Sequence, residues 1–151
     1  MNLKNERYKI KTFTLELREP LPQERDKLCD PSAVDKIARQ IFAGLDADQE
    51  HFIVLALDIK NQINGYKIIT SGAPDRCAIY PWVVFRAILF LGGIGFACIH
   101  NHPSGDTEPS SEDIVLTKTL VEGSKILGLT LHDHIILGNN KFLSMKTQGI
   151  I

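Results

Sequence analysis

The sequence predicts an α/β fold, a mixed β-sheet flanked by helices, from three observations. Apolar runs of strand length alternate with stretches whose apolar residues recur at helical spacing. Two strand pairs joined by turn residues, within 50–69 and 129–145, interrupt that alternation, so the sheet cannot be purely parallel. The composition, 44% hydrophobic and 23% charged over 151 residues, is that of one globular domain able to bury an ordinary core.

Each element has its own signal. Phe13, Leu15 and Leu17 alternate with polar residues, which predicts an edge or half-buried strand over residues 8–17. Residues 18–29 hold two prolines and many charges and read as a connector. Asp30-Pro31 is a helix start, an N-cap followed by proline at the first helical position. Val34, Ile37, Ala38, Ile41, Phe42 and Leu45 then form one apolar stripe, and Asp46-Ala47-Asp48-Gln49 ends the helix. From Phe52 to Leu57 the chain is continuously apolar, as a central strand covered on both faces should be. Asn64-Gly65 predicts the hairpin turn that returns it into residues 66–69. Residues 71–75 read as loop. Pro81 opens a helix carrying Val84, Phe85, Ile88 and Leu89, closed by Gly92-Gly93. An apolar strand ends at His100. Ser110 opens a further helix, with Ile114, Thr117, Val121 and Ser124 on one stripe and Leu116, Leu120 and Leu127 beside it, ending near Gly128. A strand over 129–137, a turn at Gly138-Asn139-Asn140 and a short partner strand over 142–145 complete the chain.

Charge and cysteine content narrow the function. Seventeen Lys+Arg against 18 Asp+Glu give a formal net charge of −1, with no bulk electrostatic attraction to nucleic acid. Cys29, Cys77 and Cys98 are widely spaced and odd in number, as free thiols of a reducing compartment are. No apolar run is long enough to span a membrane, and the polar residues 1–7 are not a signal peptide, so a cytoplasmic location is expected.

The chemistry concentrates in residues 100–113, His-Asn-His-Pro-Ser-Gly-Asp-Thr-Glu-Pro-Ser-Ser-Glu-Asp. In a strand, residues i and i+2 share a face, so His100 and His102 project together. A turn-rich loop follows. Ser110 with Asp113 three residues on reads as a capping box, which places Asp113 in the first turn of a helix. Two imidazoles and a carboxylate form a three-ligand set that suits zinc and leaves one position open for a water to be activated. A histidine pair at a strand end also occurs without metal, bonded to backbone, and a serine or aspartate also caps a helix without catalysis.

The full pattern, His-x-His-Pro, six residues, Ser, two residues, Asp, resembles the signature of the JAMM/MPN metallopeptidases at His100, His102, Pro103, Ser110 and Asp113. The wording His-Asn-His-Pro-Ser-Gly resembles their RadC-like branch. This resemblance covers residues 50–151, a metal-site core, behind an N-terminal strand, connector and helix over 1–49, the whole taken as one domain. It implies the JAMM/MPN fold, related to cytidine deaminases, and a Zn2+ held by His100, His102 and Asp113. It implies Glu50 as general base, because in the family a glutamate just before the upstream strand does this, and Ser110 as oxyanion donor. The implied reaction is hydrolysis of an amide bond in a peptide or isopeptide-type substrate. RadC relatives usually carry an N-terminal helical domain, which residues 1–49 do not match. Asp133 and His134 also match RadC relatives, and either could orient a ligating imidazole or be satisfied within its strand. His51 is expected on the opposite strand face from Glu50, and Thr117 and Ser124 are expected to pack. Pro81-Trp82-Val83 and Gly92-Gly93-Ile94-Gly95 depart from the relatives, away from the ligands.

Two rival functions compete with this one. A nucleobase deaminase needs His-x-Glu and Pro-Cys-x-x-Cys, and neither is present. The letters His-Asn-His do not make a nuclease, whose three motif residues are dispersed in sequence. The second rival is a non-catalytic metal-binding scaffold for protein or DNA partners.

Overall fold

A computed structural model describes residues 27–28, 30–71 and 79–151. The strand expected over 8–17, nearly all of the 18–29 connector, most of the 71–75 loop, and Cys29 and Cys77 lie outside them. The elements run α1 (Pro31–Phe42), β1 (His51–Leu57), β2 (Ile63–Ser71), α2 (Pro81–Phe90), β3 (Gly95–Asn101), α3 (Ser111–Leu127), β4 (Thr130–Leu137) and β5 (Phe142–Ser144). Among the described residues, five strands form one mixed sheet in the order β2-β1-β3-β4-β5. Only the β3–β4 pair is parallel, with α3 as its crossover; the other neighbours are antiparallel.

Strand periodicity sorts the core into two layers. Leu55 and Leu57 of β1, Ala97 and Ile99 of β3, and Ile135 and Leu137 of β4 pack against Val34 and Ala38 of α1. The alternate residues, Phe52, Val54, Phe96 and Cys98, pack against Val84, Phe85 and Ile88 of α2 and Leu120 of α3. All seven residues of β1 are buried, because the strand has neighbours on both edges and helices on both faces. Burial raises the pKa of the Cys98 thiol, with Asp133 adding to the effect, so it is an inert core residue.

Local signals hold where they are side-chain caps. The Asp30 carboxylate accepts from the amides of Ser32 and Ala33 at 2.9 and 3.0 Å, and Pro31 takes the first helical position. Helix α1 ends at Phe42, before Leu45, because Gly44 and Leu45 already bond back three residues to Ile41 and Phe42. The β1–β2 hairpin exists, but Asn64-Gly65 is not its turn. The Asp58 carboxylate accepts from the amides of Lys60 and Gln62 at 2.8 and 2.9 Å, and Asn61 takes a left-handed φ of 57°, so the chain reverses there. Ala56 pairs with Gly65 and Leu57 with Ile63, which makes Asn64 the extra residue of a bulge inside β2. Ser71, expected in a loop, is the last residue of β2. In α2, Val84, Phe85 and Ile88 are buried as expected, whereas Leu89 faces solvent. In α3 the buried residues are Thr117, Leu120 and Ser124, and Leu127 is exposed.

Candidate metal centre

The site lies where β3 ends and α3 begins. His100 is on the β3 face that looks toward α3, one residue before the strand stops. His102 follows the strand end, its amide bonded to the Leu137 carbonyl at 3.0 Å. The loop after it turns at Gly105, whose φ of 78° is a region that favours glycine. Ser110 then caps α3. Its hydroxyl accepts from the Asp113 amide at 3.1 Å, and Asp113 Oδ2 accepts from the Ser110 amide at 2.8 Å. Both halves of the expected capping box are therefore formed.

This folding brings three ligand-type groups together. His100 Nε2 and His102 Nε2 are 3.0 Å apart. Asp113 Oδ1 is 3.3 Å from His100 Nε2, and its Oδ2 is 3.6 Å from His102 Nε2. The His100 side chain has no exposure, while those of His102 and Asp113 keep 17% and 14%, so the cluster is walled by the sheet and open on one side. These three residues could hold a metal ion.

The donor chemistry fits a cation. His102 Nδ1 lies 2.9 Å from the Asp106 carbonyl, which can only accept, so Nδ1 carries the proton and Nε2 presents a lone pair toward His100. The Asp113 carboxylate facing it raises the His102 pKa, against burial. Burial would raise the Asp113 pKa, but the adjacent His100 and His102 imidazoles and the bond from the Ser110 hydroxyl outweigh it and hold the carboxyl well below the usual range. A permanent carboxylate beside facing imidazole nitrogens is an environment that positive charge stabilises.

Glu50 stands beside this cluster. Phe52 pairs with His100 at the end of the antiparallel β1–β3 register, and Glu50 is the residue just before β1. The Glu50 charge contributes to the raised pKa of His102. Asn101, between the two histidines, brackets Glu50 from the other strand. Its Oδ1 accepts from the His51 amide at 2.8 Å and its Nδ2 donates to the Gln49 carbonyl at 2.9 Å. His51 itself points to the α1 face, as expected. It stacks edge-on with Phe42, and its Nε2 lies 2.8 Å from the Asp46 carbonyl.

A second layer surrounds these three residues. His134 of β4 places Nε2 2.9 Å from His100 Nδ1 and Nδ1 2.6 Å from Thr117 Oγ1. Thr117 Oγ1 is also 2.6 Å from the Asp113 carbonyl. Asp133 points the other way. Its carboxylate accepts from the His134 amide at 2.8 Å, the Ser144 hydroxyl at 2.6 Å and the Lys146 amide at 3.1 Å, tying β4 to the C-terminal turn. The adjacent pair thus has two separate duties, and of the two only His134 bonds to His100.

The family model described as "RadC-like JAB domain" matches residues 28–150. The chain belongs to this family. The match takes in α1 as well as the metal-site core, so it begins well before residue 50. Proteins similar to this RadC-like chain carry the name UPF0758 protein, which states no activity. One from Desulforamulus reducens is 43% identical over 106 residues, covering 70% of this chain and 47% of the relative. One from Methanosarcina acetivorans is 37% identical over 129 residues, covering 85% and 56%. One from Listeria welshimeri is 46% identical over 101 residues, covering 67% and 45%. The chain spans about half the length of the curated relatives it matches. Among the described residues, no helix is long and apolar enough to cross a membrane.

In this RadC-like domain the expected ligands His100, His102 and Asp113 meet, with Ser110 bonded to Asp113 and Glu50 alongside. Sequence reasoning missed Asn101, which sits unmarked at the variable position of His-x-His. It also gave Thr117 to packing. Thr117 does pack, with no exposure, but its hydroxyl joins Asp113 to His134. A buried hydroxyl four residues after a ligand was the available signal.

Proposed function

We propose that this chain is a zinc-dependent amide hydrolase of the metallopeptidase type, acting on a peptide or isopeptide-type bond. The observation that carries the reading is the convergence of two imidazoles and a carboxylate on a site open on one side, with Glu50 beside it. Three protein ligands of this kind suit zinc and leave a position for water and substrate. When bound there, zinc acidifies a water and polarises the substrate carbonyl.

The chain's own residues divide the rest of the work. Glu50 accepts the proton of the attacking water and returns it to the leaving amine, a role supported by its being an exposed carboxylate just before β1. Ser110 has one hydroxyl proton, given in the structure to Asp113 Oδ2 at 2.6 Å. Serving an oxyanion therefore means turning that proton away from Asp113 as charge develops, a contribution on the order of 3 kcal/mol. Until then the hydroxyl holds the ligating carboxylate. His100 and His102 stay neutral as ligands.

The test has two stages. Elemental analysis of wild type and His102→Ala, purified without chelator, should give about one zinc per wild-type chain and none in the variant. Glu50→Gln should keep the zinc and lose turnover of amide substrates by several orders of magnitude. A wild type that takes up no zinc on reconstitution overturns the reading. A zinc-loaded Glu50→Gln with unchanged turnover removes Glu50 from the reaction, and zinc without any turnover favours the metal-bound scaffold.

A further inference from the structure

Both ligating histidines must present a bare Nε2, yet only His102 has its other nitrogen against a backbone carbonyl. His100 Nδ1 faces His134, an imidazole that can donate or accept. The choice is made further along. Thr117 Oγ1 lies 2.6 Å from the Asp113 carbonyl, an obligate acceptor, so the single hydroxyl proton is committed there. Met145 Sδ, at 3.4 Å, is the weaker and more distant acceptor. With its proton committed, Thr117 can only accept from His134, whose Nδ1 is 2.6 Å away. His134 Nδ1 therefore carries the ring proton and its Nε2 is bare. That nitrogen then accepts from His100 Nδ1 at 2.9 Å, which leaves His100 Nε2 bare and aimed at His102 and Asp113.

We propose that His134 and Thr117 are positioning residues whose hydrogen bonds fix His100 in its metal-binding tautomer. The relay starts on the backbone of Asp113, itself a ligand, and ends on His100, so it also couples the third ligand to the first. The rings of His100 and His134 are 4.9 Å apart, and Phe52 packs against both, which holds the relay in register. All three relay side chains, Thr117, His134 and His100, are fully buried, so water does not compete for their bonds. Replacing such outer partners costs a metal site roughly 10–100-fold in affinity. The inference rests on the reading of His100, His102 and Asp113 as metal ligands.

The experiment measures zinc affinity of the purified full chain by competition with a chromophoric chelator, for wild type, Thr117→Val and Thr117→Ser. Thr117→Val keeps the shape and removes the hydroxyl; it should bind zinc on the order of tenfold more weakly. Thr117→Ser should restore most of the affinity, which a role in packing alone would not do. A variant-independent measurement goes with it: long-range proton–nitrogen NMR of zinc-loaded wild type should find His100 and His134 both protonated at Nδ1. A His134 protonated at Nε2, or a folded Thr117→Val with wild-type affinity, overturns the relay while leaving the metal site intact. A wild type that binds no zinc overturns the site and the relay together, so the two failures are told apart.

Discussion

Asn101→Ala tests how the domain holds a carboxylate beside its proposed metal ligands. The Asn101 side chain makes two bonds across the β1–β3 register, one on each side of Glu50. They are not equal in weight. His51 is only 3% exposed, so its amide has no ready access to water once Oδ1 is gone, a penalty of about 1–3 kcal/mol. The Gln49 carbonyl belongs to an exposed residue and can be rehydrated, so losing Nδ2 costs about 0.5 kcal/mol. The sum is about 2 kcal/mol, which for a domain of this size lowers the melting temperature by about 4–8 °C. Asn101→Asp retains the acceptor for His51 and should recover most of that loss in stability. The Asn101 side chain bonds the His51 amide and the Gln49 carbonyl, not the imidazoles or the Asp113 carboxylate, so zinc affinity should stay within a few-fold of wild type, while turnover falls by on the order of tenfold or more as Glu50 loses its fixed place. Thermal melting of the metal-free protein, chelator competition and amide turnover together decide the matter. An alanine variant melting within about 1 °C of wild type would refute the clamp. A large loss of zinc affinity would show that Asn101 acts on the ligands rather than on Glu50.

Further outcomes follow from the same structure. A Cβ at Gly138 would collide with the Gly105 carbonyl oxygen and press on Thr107, so Gly138→Ala should destabilise the fold by about 1–3 kcal/mol in denaturant unfolding and weaken zinc binding through the displaced 102–110 loop. Burial, with Lys146 nearby, lowers the His132 pKa below its ordinary 6.5. The folded chain therefore binds fewer protons at His132 than the unfolded chain does, and this group withdraws stability as pH falls below about 6.5. Lys146→Met should raise the His132 titration midpoint seen by NMR, and a midpoint unmoved by that change would remove Lys146 as a cause. Asp133→Ala strips three donors of a buried acceptor and should cost about 3 kcal/mol or more in the same unfolding assay, with zinc affinity reduced only through His134.

The parts of this site that could be read in the sequence are those encoded within a few residues of each other. His100 and His102 share a face by strand periodicity, and Ser110 and Asp113 find each other through a cap that spans three residues. The helix start at Asp30-Pro31 was legible for the same reason. Features that depend on distant segments were not. Thr117 and His134 are 17 residues apart and meet only after α3 has crossed from β3 to β4. Asn101 gains its meaning from strand β1, some fifty residues earlier. The hairpin turn was misplaced by competition between two local signals: Asp58, with its side-chain bonds to Lys60 and Gln62, closed the turn before Asn64-Gly65 was reached. The burial of Thr117 and Ser124 on the α3 stripe was legible, whereas the bond of the Thr117 hydroxyl to His134, on another element, was not.

As the proposed ligands, His100, His102 and Asp113 would make the centre kinetically lopsided. His100 rides on the middle strand of the sheet, whose amides should exchange with solvent only when the whole domain opens. Asp113 sits in the first turn of a helix, and His102 on the loop that leads to it, segments that open locally at far lower cost. Metal capture and release would then proceed from one edge, with the carboxylate and outer imidazole letting go first and the strand histidine last. Slow exchange at β3 alongside faster exchange at 102–113 would be the mark of a hinge built into the coordination sphere itself.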